Sequence, residues 1–81
     1  MKKVKIYVTL KLEVLDPQGK VIMNTLHTLG YNDIYEVRAS KFFEVIINSD
    51  DEKHIKKEID EVCDKVLANP NIETYRYEVY D

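Results

Sequence analysis

One cysteine, two glycines, two prolines and no apolar run longer than three residues leave this sequence short of most recognisable hallmarks. Each shortage excludes something. Cys63 has no second cysteine to pair with, so no disulfide forms within the chain. Zinc-ligand spacing is also missing, because there is no Cys pair and His27 and His54 lie too far apart for a helical two-His motif. The lack of an apolar run removes a signal-peptide core and a membrane-spanning helix. Basic residues are not in excess: 12 Lys and Arg against 15 Asp and Glu give a formal charge of −3, which suits solubility and not a phosphate backbone. Neither a Walker loop nor G-x-G-x-x-G occurs. These absences point to a soluble cytoplasmic protein, with no nucleic-acid or membrane partner.

What is present is enough for one domain over residues 1–81. A chain of this size buries only about 60–65% of its unfolded surface, so its core is thin without support. With disulfide and metal excluded, the remaining common support is self-association, as a homodimer or tetramer.

The longest strict alternation is Val4, Ile6, Val8, Leu10, Leu12 and Val14, which predicts a first strand over Lys2–Val14. At the usual rise it spans ~40 Å, so its far end projects beyond a small sheet. Strand turns into helix within Val14–Lys20. Asp16 is placed as N-cap, and Pro17 suits the first helical position, where a missing N–H costs nothing. Gly19, in the first turn, has no folding reason in the sequence. The helix runs from Pro17 to about Leu29, with Ile22, Leu26 and Leu29 towards the core and Gly30 as its stop. A second strand is predicted over Ile34–Ala39, a turn at Ser40-Lys41, and a third strand over Phe42–Asn48. That strand is apolar on both faces and so expected to be central. Ser49-Asp50-Asp51-Glu52 matches a capping box. It opens a helix whose stripe is Ile55, Ile59, Val62, Cys63, Val66 and Leu67. Asn69-Pro70 stops it, and Ile72–Tyr80 is the fourth strand.

The order βαββαβ predicts an α+β, ferredoxin-like two-layer sandwich: a four-stranded antiparallel sheet, strands one and three central, with both helices on one face. The other face stays open and carries some of Tyr7, Ile34, Phe42, Ile46 and Tyr80, an apolar surface that calls for a partner.

The residues that could do chemistry read as structural. Cys63 lies on the core stripe, where burial makes a thiol inert. The two histidines fall at exposed helix positions, and Asp50-Asp51-Glu52 caps a helix whose dipole favours acid there. Two features remain: Asp16-Pro17-Gln18-Gly19, a joint at a helix N-terminus, and Tyr75-Arg76-Tyr77, residue types typical of interface anchors. No catalytic, cofactor-binding or metal-binding residue is expected on this chain. As candidates for partner contact we take Asp16, Pro17, Gln18, Gly19, Arg38, Lys41, Tyr75, Arg76 and Tyr77.

The residues Lys5-Ile6-Tyr7-Val8-Thr9-Leu10-Lys11, Val14-Leu15-Asp16-Pro17-Gln18-Gly19, Leu29-Gly30-Tyr31, Val37-Arg38 and Lys41 occur in one order. Leu67-Ala68-Asn69-Pro70, Ile72-Glu73 and Tyr75-Arg76-Tyr77-Glu78-Val79 continue it. This arrangement resembles the small S-subunit (PurS) family of phosphoribosylformylglycinamidine synthase over essentially the whole chain. Ser40 departs from it, standing where the family usually has a glycine before the lysine of the strand two–three turn. The resemblance implies a non-catalytic subunit of de novo purine synthesis. It would bridge a glutaminase subunit and a large synthetase subunit, and assist the passage of ammonia used to convert formylglycinamide ribonucleotide to the amidine. ATP and magnesium would be used by the synthetase partner. A rival reading is a small-ligand regulatory module of the ACT type, which shares βαββαβ and binds amino acids at an Asp…Pro-Gly turn; here Gln18 separates Pro17 from Gly19. An acylphosphatase-type enzyme would need an arginine in the first loop, which has only Lys20. Under the leading reading, Gly19 serves close backbone approach to another chain.

Overall fold

The computed structural model describes all residues, Met1–Asp81. Three strands and two helices follow in the order β1 (Lys2–Leu10), α1 (Pro17–Thr28), β2 (Lys41–Ile47), α2 (Glu52–Val62, continued by a π-helical turn over Cys63–Leu67) and β3 (Glu73–Tyr80). The sheet is antiparallel with β1 in the middle, flanked by β2 and β3.

Side-chain alternation along β1 builds the core. Val4, Ile6 and Val8 are fully buried, with Val45 and Phe43 of β2 and Tyr77 and Tyr75 of β3 beside them on the same sheet face. Against that face α2 lays Ile55, Ile59 and Cys63, spaced i, i+4 and i+8. In the last turn the Ala68 N–H bonds the Cys63 carbonyl at 2.8 Å, an i→i+5 closure. The extra residue in that turn keeps Leu67 and Ala68 on the sheet and swings Val66 out to solvent. The cap of α2 is Asp51, two residues later than the predicted box. Its carboxylate accepts from the Lys53 and His54 N–H groups at 3.0 and 3.5 Å, while Ser49 Oγ accepts from Asp51 N–H at 3.2 Å.

The predicted four-stranded sheet with both helices on one face is corrected in three respects. The first strand ends at Leu10 rather than Val14, because the chain turns there and the Val14 N–H bonds the Lys11 carbonyl at 3.0 Å. Leu12, part of the alternation, is 87% exposed. The second strand, Ile34–Ala39, is absent from the sheet, which leaves β2 an edge strand and not a central one. A tight hairpin at Ser40-Lys41 needs positive φ, and no residue other than Gly30 has it. The chain therefore does not reverse, and residues 34–40 run on outside the sheet. Finally, α1 contributes no side chain to the core cluster that the sheet and α2 share. Ile22 and Leu29 of its apolar stripe are 40% and 67% exposed. The molecule is correspondingly long, 49 × 27 × 14 Å with a radius of gyration of 16.2 Å, against about 12 Å for a compact chain of this length.

Two substitutions separate the core that exists from the one the helical stripe implied. Ile59→Ala, at a fully buried site under α2, should lower unfolding stability by about 2–4 kcal/mol in urea titrations. Ile22→Ser in α1 should change it by about 0.5 kcal/mol or less.

Candidate interaction site

The joint between β1 and α1 is the most closely tied part of the chain outside the sheet. Asp16 has the extended backbone of an N-cap (φ −107°, ψ 91°), and Pro17 occupies the first helical position. Its carboxylate serves two segments at once: Oδ1 accepts from the Gly19 N–H at 2.9 Å, and Oδ2 accepts from the Ala39 N–H at 2.8 Å. Asp16 is buried, and its side chain has both oxygens bonded. The Gly19 and Ala39 N–H groups, helped by the nearby Arg38 guanidinium, hold its carboxyl below the usual aspartate range.

Gly19 acquires its reason here. A Cβ on it would lie 2.1 Å from the Val37 carbonyl oxygen and 3.0 Å from Asp16 Oδ2. A close backbone approach at this glycine is made within the chain, to Val37. Arg38 completes the tie: one guanidinium nitrogen donates to the Leu10 and Lys11 carbonyls at 3.3 and 3.1 Å, and the other lies 3.4 Å from Glu36. Lys41 pairs with Glu73 at 3.2 Å, and Glu73 also accepts from the Asn69 N–H at 2.8 Å. Pro17 and Gln18 are exposed at the head of α1, and Gln18 shares a small cleft with Ser40, Lys41 and Glu73.

The structure divides Tyr75-Arg76-Tyr77 between the two faces of the sheet. Tyr75 and Tyr77 stack on each other beneath α2 (centroids 6.3 Å apart), and the Tyr75 hydroxyl donates to Asp60 Oδ1 at 3.1 Å. Burial, and then the Asp60 carboxylate, push the Tyr75 hydroxyl up to about 12. Arg76 points the other way, its guanidinium 4.0 Å from the Tyr7 ring centroid. With it on the open face stand Tyr7, Phe42, Ile46 and Tyr80, interspersed with Lys3 and Lys5 of the central strand and Glu44 and Glu78 on either side of Lys5. Phe42 packs on Tyr7 at 5.1 Å, and Lys5 lies 5.0 Å from the Tyr80 ring. Ile34, also expected there, instead lies near α1, its carbonyl 2.8 Å from His27 Nε2.

A second exposed apolar surface was not signalled as such by the sequence. Leu12, Val14, Leu15, Met23, Tyr35 and Val37 line a cleft of about 380 Å³ between the joint, α1 and residues 34–38. Tyr35 is 92% exposed. The signal was the alternation running past Leu10, read as strand.

Side chains with catalytic potential are engaged structurally. Cys63 is fully buried, and desolvation raises its thiol above the ordinary range. His54 pairs with Glu58 at 3.0 Å on the outer face of α2. No group of three or more His, Cys, Asp or Glu is placed to hold a metal ion. No helix is long and apolar enough to cross a membrane.

A short elongated α+β chain with two exposed apolar surfaces and its polar joint internally satisfied is an assembly subunit by construction. The comparisons agree and specify it. The sequence model of the family PurS, phosphoribosylformylglycinamidine (FGAM) synthase, matches residues 3–81. The PurS subunit of this synthase from Bacillus subtilis is 47% identical over 79 residues, 98% of this chain and 93% of that one. The one from Methanocaldococcus jannaschii is 38% identical over 79 residues, 98% of this chain and 95% of that one. Crystal structures of PurS from the same two organisms superpose with TM-scores of 0.91 (46% identity; 100% of both chains) and 0.89 (37% identity; 100% of this chain, 98% of that one). The chain belongs to the PurS family, and its function is that of a subunit of phosphoribosylformylglycinamidine synthase. Membership of this family over residues 3–81 sets the ACT-type reading aside.

Two outcomes test the joint. Gly19→Ala should destabilise the folded chain by about 1–3 kcal/mol, because backbone at residue 37 must move; a thermal melt reads this without any partner present. Because the Asp16 pKa is depressed on folding, its contribution is fully present above the unfolded value of about 3.9 and disappears as pH falls through the lower folded value. Asp16→Asn should therefore be less stable than the parent at pH 7, with the gap closing in denaturation curves taken below about pH 4.

Proposed function

We propose that this chain is a bridging subunit without catalytic groups of its own, acting in the cytoplasm in purine biosynthesis. It holds a glutaminase subunit and a large synthetase subunit together while ammonia passes between them. ATP and magnesium belong to the synthetase partner, and the product is formylglycinamidine ribonucleotide. The chain acts as a homo-oligomer.

The observation that carries this reading is the pairing of family membership with two separate exposed apolar surfaces on a thin 49 Å body. A bridging chain needs more than one docking surface, and a core of eight buried apolar residues gains from being covered. The relatives support it in their own terms. The M. jannaschii protein is described as one of the subunits of formylglycinamide ribonucleotide amidotransferase in the purine biosynthetic pathway. The fold also recurs, at 22% identity and a TM-score of 0.86 over 96% of this chain and 95% of that one, in a Thermotoga maritima chain from a structure of PurLQS.

Among the candidate contact residues, Pro17, Gln18, Lys41 and Arg76 present exposed groups to a partner. Asp16, Gly19 and Arg38 shape the joint that carries them, and Tyr75 and Tyr77 hold the sheet face behind Arg76. Keeping water from the transferred ammonia is the physical service such a clamp provides.

Mixing the three chains with glutamine and nucleotide should yield one complex on size exclusion. Omitting this chain should abolish glutamine-driven amidine formation while leaving activity with added ammonium salt. Undiminished glutamine-driven activity without this chain would remove the bridging reading.

A further inference from the structure

The sheet has two free edges, and one of them runs beside a helix. The Lys11 N–H bonds the Ile72 carbonyl at 2.9 Å, continuing the register that sets Leu10 opposite Glu73. That bond fixes the phase of the β1–β3 ladder: Thr74, Arg76, Glu78 and Tyr80 turn their backbone groups towards β1. The N–H and C=O groups of Tyr75, Tyr77 and Val79 therefore face out along the free edge of β3, and no backbone bond outside the ladder uses them. Their side chains lie on the α2 side of the sheet, level with Val8, Ile6 and Val4. A strand added there would lean alternate side chains towards α2. At that place lies a cleft of about 410 Å³, with Ile55, Tyr77 and Val79 as its apolar floor and Glu52 and Lys56 as its helix wall. The Lys2–Asp81 pair, at 2.7 Å, closes its end. The β2 edge has the opposite phase and turns out the backbone of Phe42, Glu44 and Ile46, whose side chains stand exposed on the open face.

We propose that the β3 edge takes an extended segment of a different protein chain as a fourth strand, and that the cleft receives one of its apolar side chains. The inference rests on the bridging reading above, since the segment belongs to one of the two subunits bridged, and it names the surface used. Main-chain bonds to Tyr77 and Val79 supply affinity, and the cleft supplies selectivity. An aliphatic residue suits the floor of Ile55, Tyr77 and Val79, where a charged one would lose its water. Charge defines the flanks. Along α2 the residues Glu52, Lys56 and Asp60 follow one another a turn apart on the β3 side. Asp60 is taken by the Tyr75 hydroxyl, and Lys2 and Asp81 hold each other. Glu52 and Lys56 have no ion-pair partner in this chain. Only alternate residues of an added strand face the helix. The complementary segment therefore carries its apolar residue with a carboxylate two positions away on the Lys56 side and a cation two positions away on the Glu52 side.

Hydrogen exchange on the isotope-labelled chain reads the edge amide by amide. In the chain alone, the Tyr77 and Val79 amides should exchange fast while those of Arg76 and Glu78, bonded to β1, exchange slowly. Adding the unlabelled glutaminase or synthetase subunit should slow the Tyr77 and Val79 amides about tenfold or more in one of the two complexes. Val79→Pro removes one outward N–H without touching the β1 ladder, a change that an edge strand tolerates. It should melt close to Val79→Ala yet raise the dissociation constant for that subunit about tenfold or more relative to Val79→Ala. Lys56→Glu, on an exposed side chain, should weaken the same complex, and the loss should shrink as salt is added. Edge amides that still exchange fast within a formed complex, or undiminished binding by Val79→Pro, would overturn the proposal and leave the bridging reading standing. Protection of Tyr77 and Val79 that rises with the concentration of this chain alone would give the edge to a second copy and overturn it too. No complex with either subunit would overturn both.

Discussion

One buried carboxylate decides the shape of this molecule. Asp16 accepts a hydrogen bond from the first turn of α1 on one oxygen and from Ala39 on the other, so it joins a helix start to a segment 23 residues away. Both oxygens are bonded at ordinary distances, which is the condition under which a buried charge stabilises a fold rather than strains it. Gly19 is the matching constraint, because any larger residue would drive into the Val37 carbonyl that the Asp16 clamp brings close. Arg38 then anchors the same segment to the last carbonyls of β1.

With residues 37–39 held on the helix, they are not available to lie beside β2. The sheet stops at three strands, and α1 is carried off to one side. What remains over the sheet is α2 alone, and the core is correspondingly small: Val4, Ile6, Val8, Ile47, Ile55, Ile59, Cys63 and Ala68. The apolar residues that a compact sandwich would have buried, such as Ile22, Leu29, Phe42 and Ile46, stay exposed. A chain built this way has exchanged internal burial for surface that other chains can bury, which fits its place as one subunit among several. On the open sheet face Lys3 and Lys5 of the central strand stand among the aromatic and aliphatic side chains of its neighbours.

Much of this was legible. Strict alternation from Val4 to Leu10 marked the central strand, and the i, i+4, i+8 stripe of Ile55, Ile59 and Cys63 marked the one helix that truly packs. Asp16 and Pro17 placed the start of α1 to the residue. The same logic misled where periodicity outlasted the structure. Leu12 and Val14 continue the alternation into a turn, and Ile22, Leu26 and Leu29 keep helical spacing on a helix that adds nothing to the core cluster. Periodicity reports that a residue has an apolar side to offer; it does not report whether this chain or another one accepts it. The Tyr75-Arg76-Tyr77 triplet shows the same ambiguity on a strand, where alternate residues must part company: two tyrosines go to the core and the arginine to the open face.

The amino-acid sequence by itself determined the two helices and the three strands that form the sheet, the capped joint at Asp16-Pro17, the lack of a disulfide and the membership that Asp16-Pro17-Gln18-Gly19 and Tyr75-Arg76-Tyr77-Glu78-Val79 announce. These are local properties, set by side-chain alternation, capping chemistry and composition. Only the tertiary structure decided that residues 34–40 leave the sheet, that Gly19 is crowded by its own chain, and that α1 stands apart. The reason is that a strand's partner is a long-range choice. Ile34–Ala39 has the alternation of a strand wherever it goes. Its destination was settled by the absence of positive φ at Ser40-Lys41 and by the Ala39 N–H bonding the oxygen of Asp16 that the helix start leaves open.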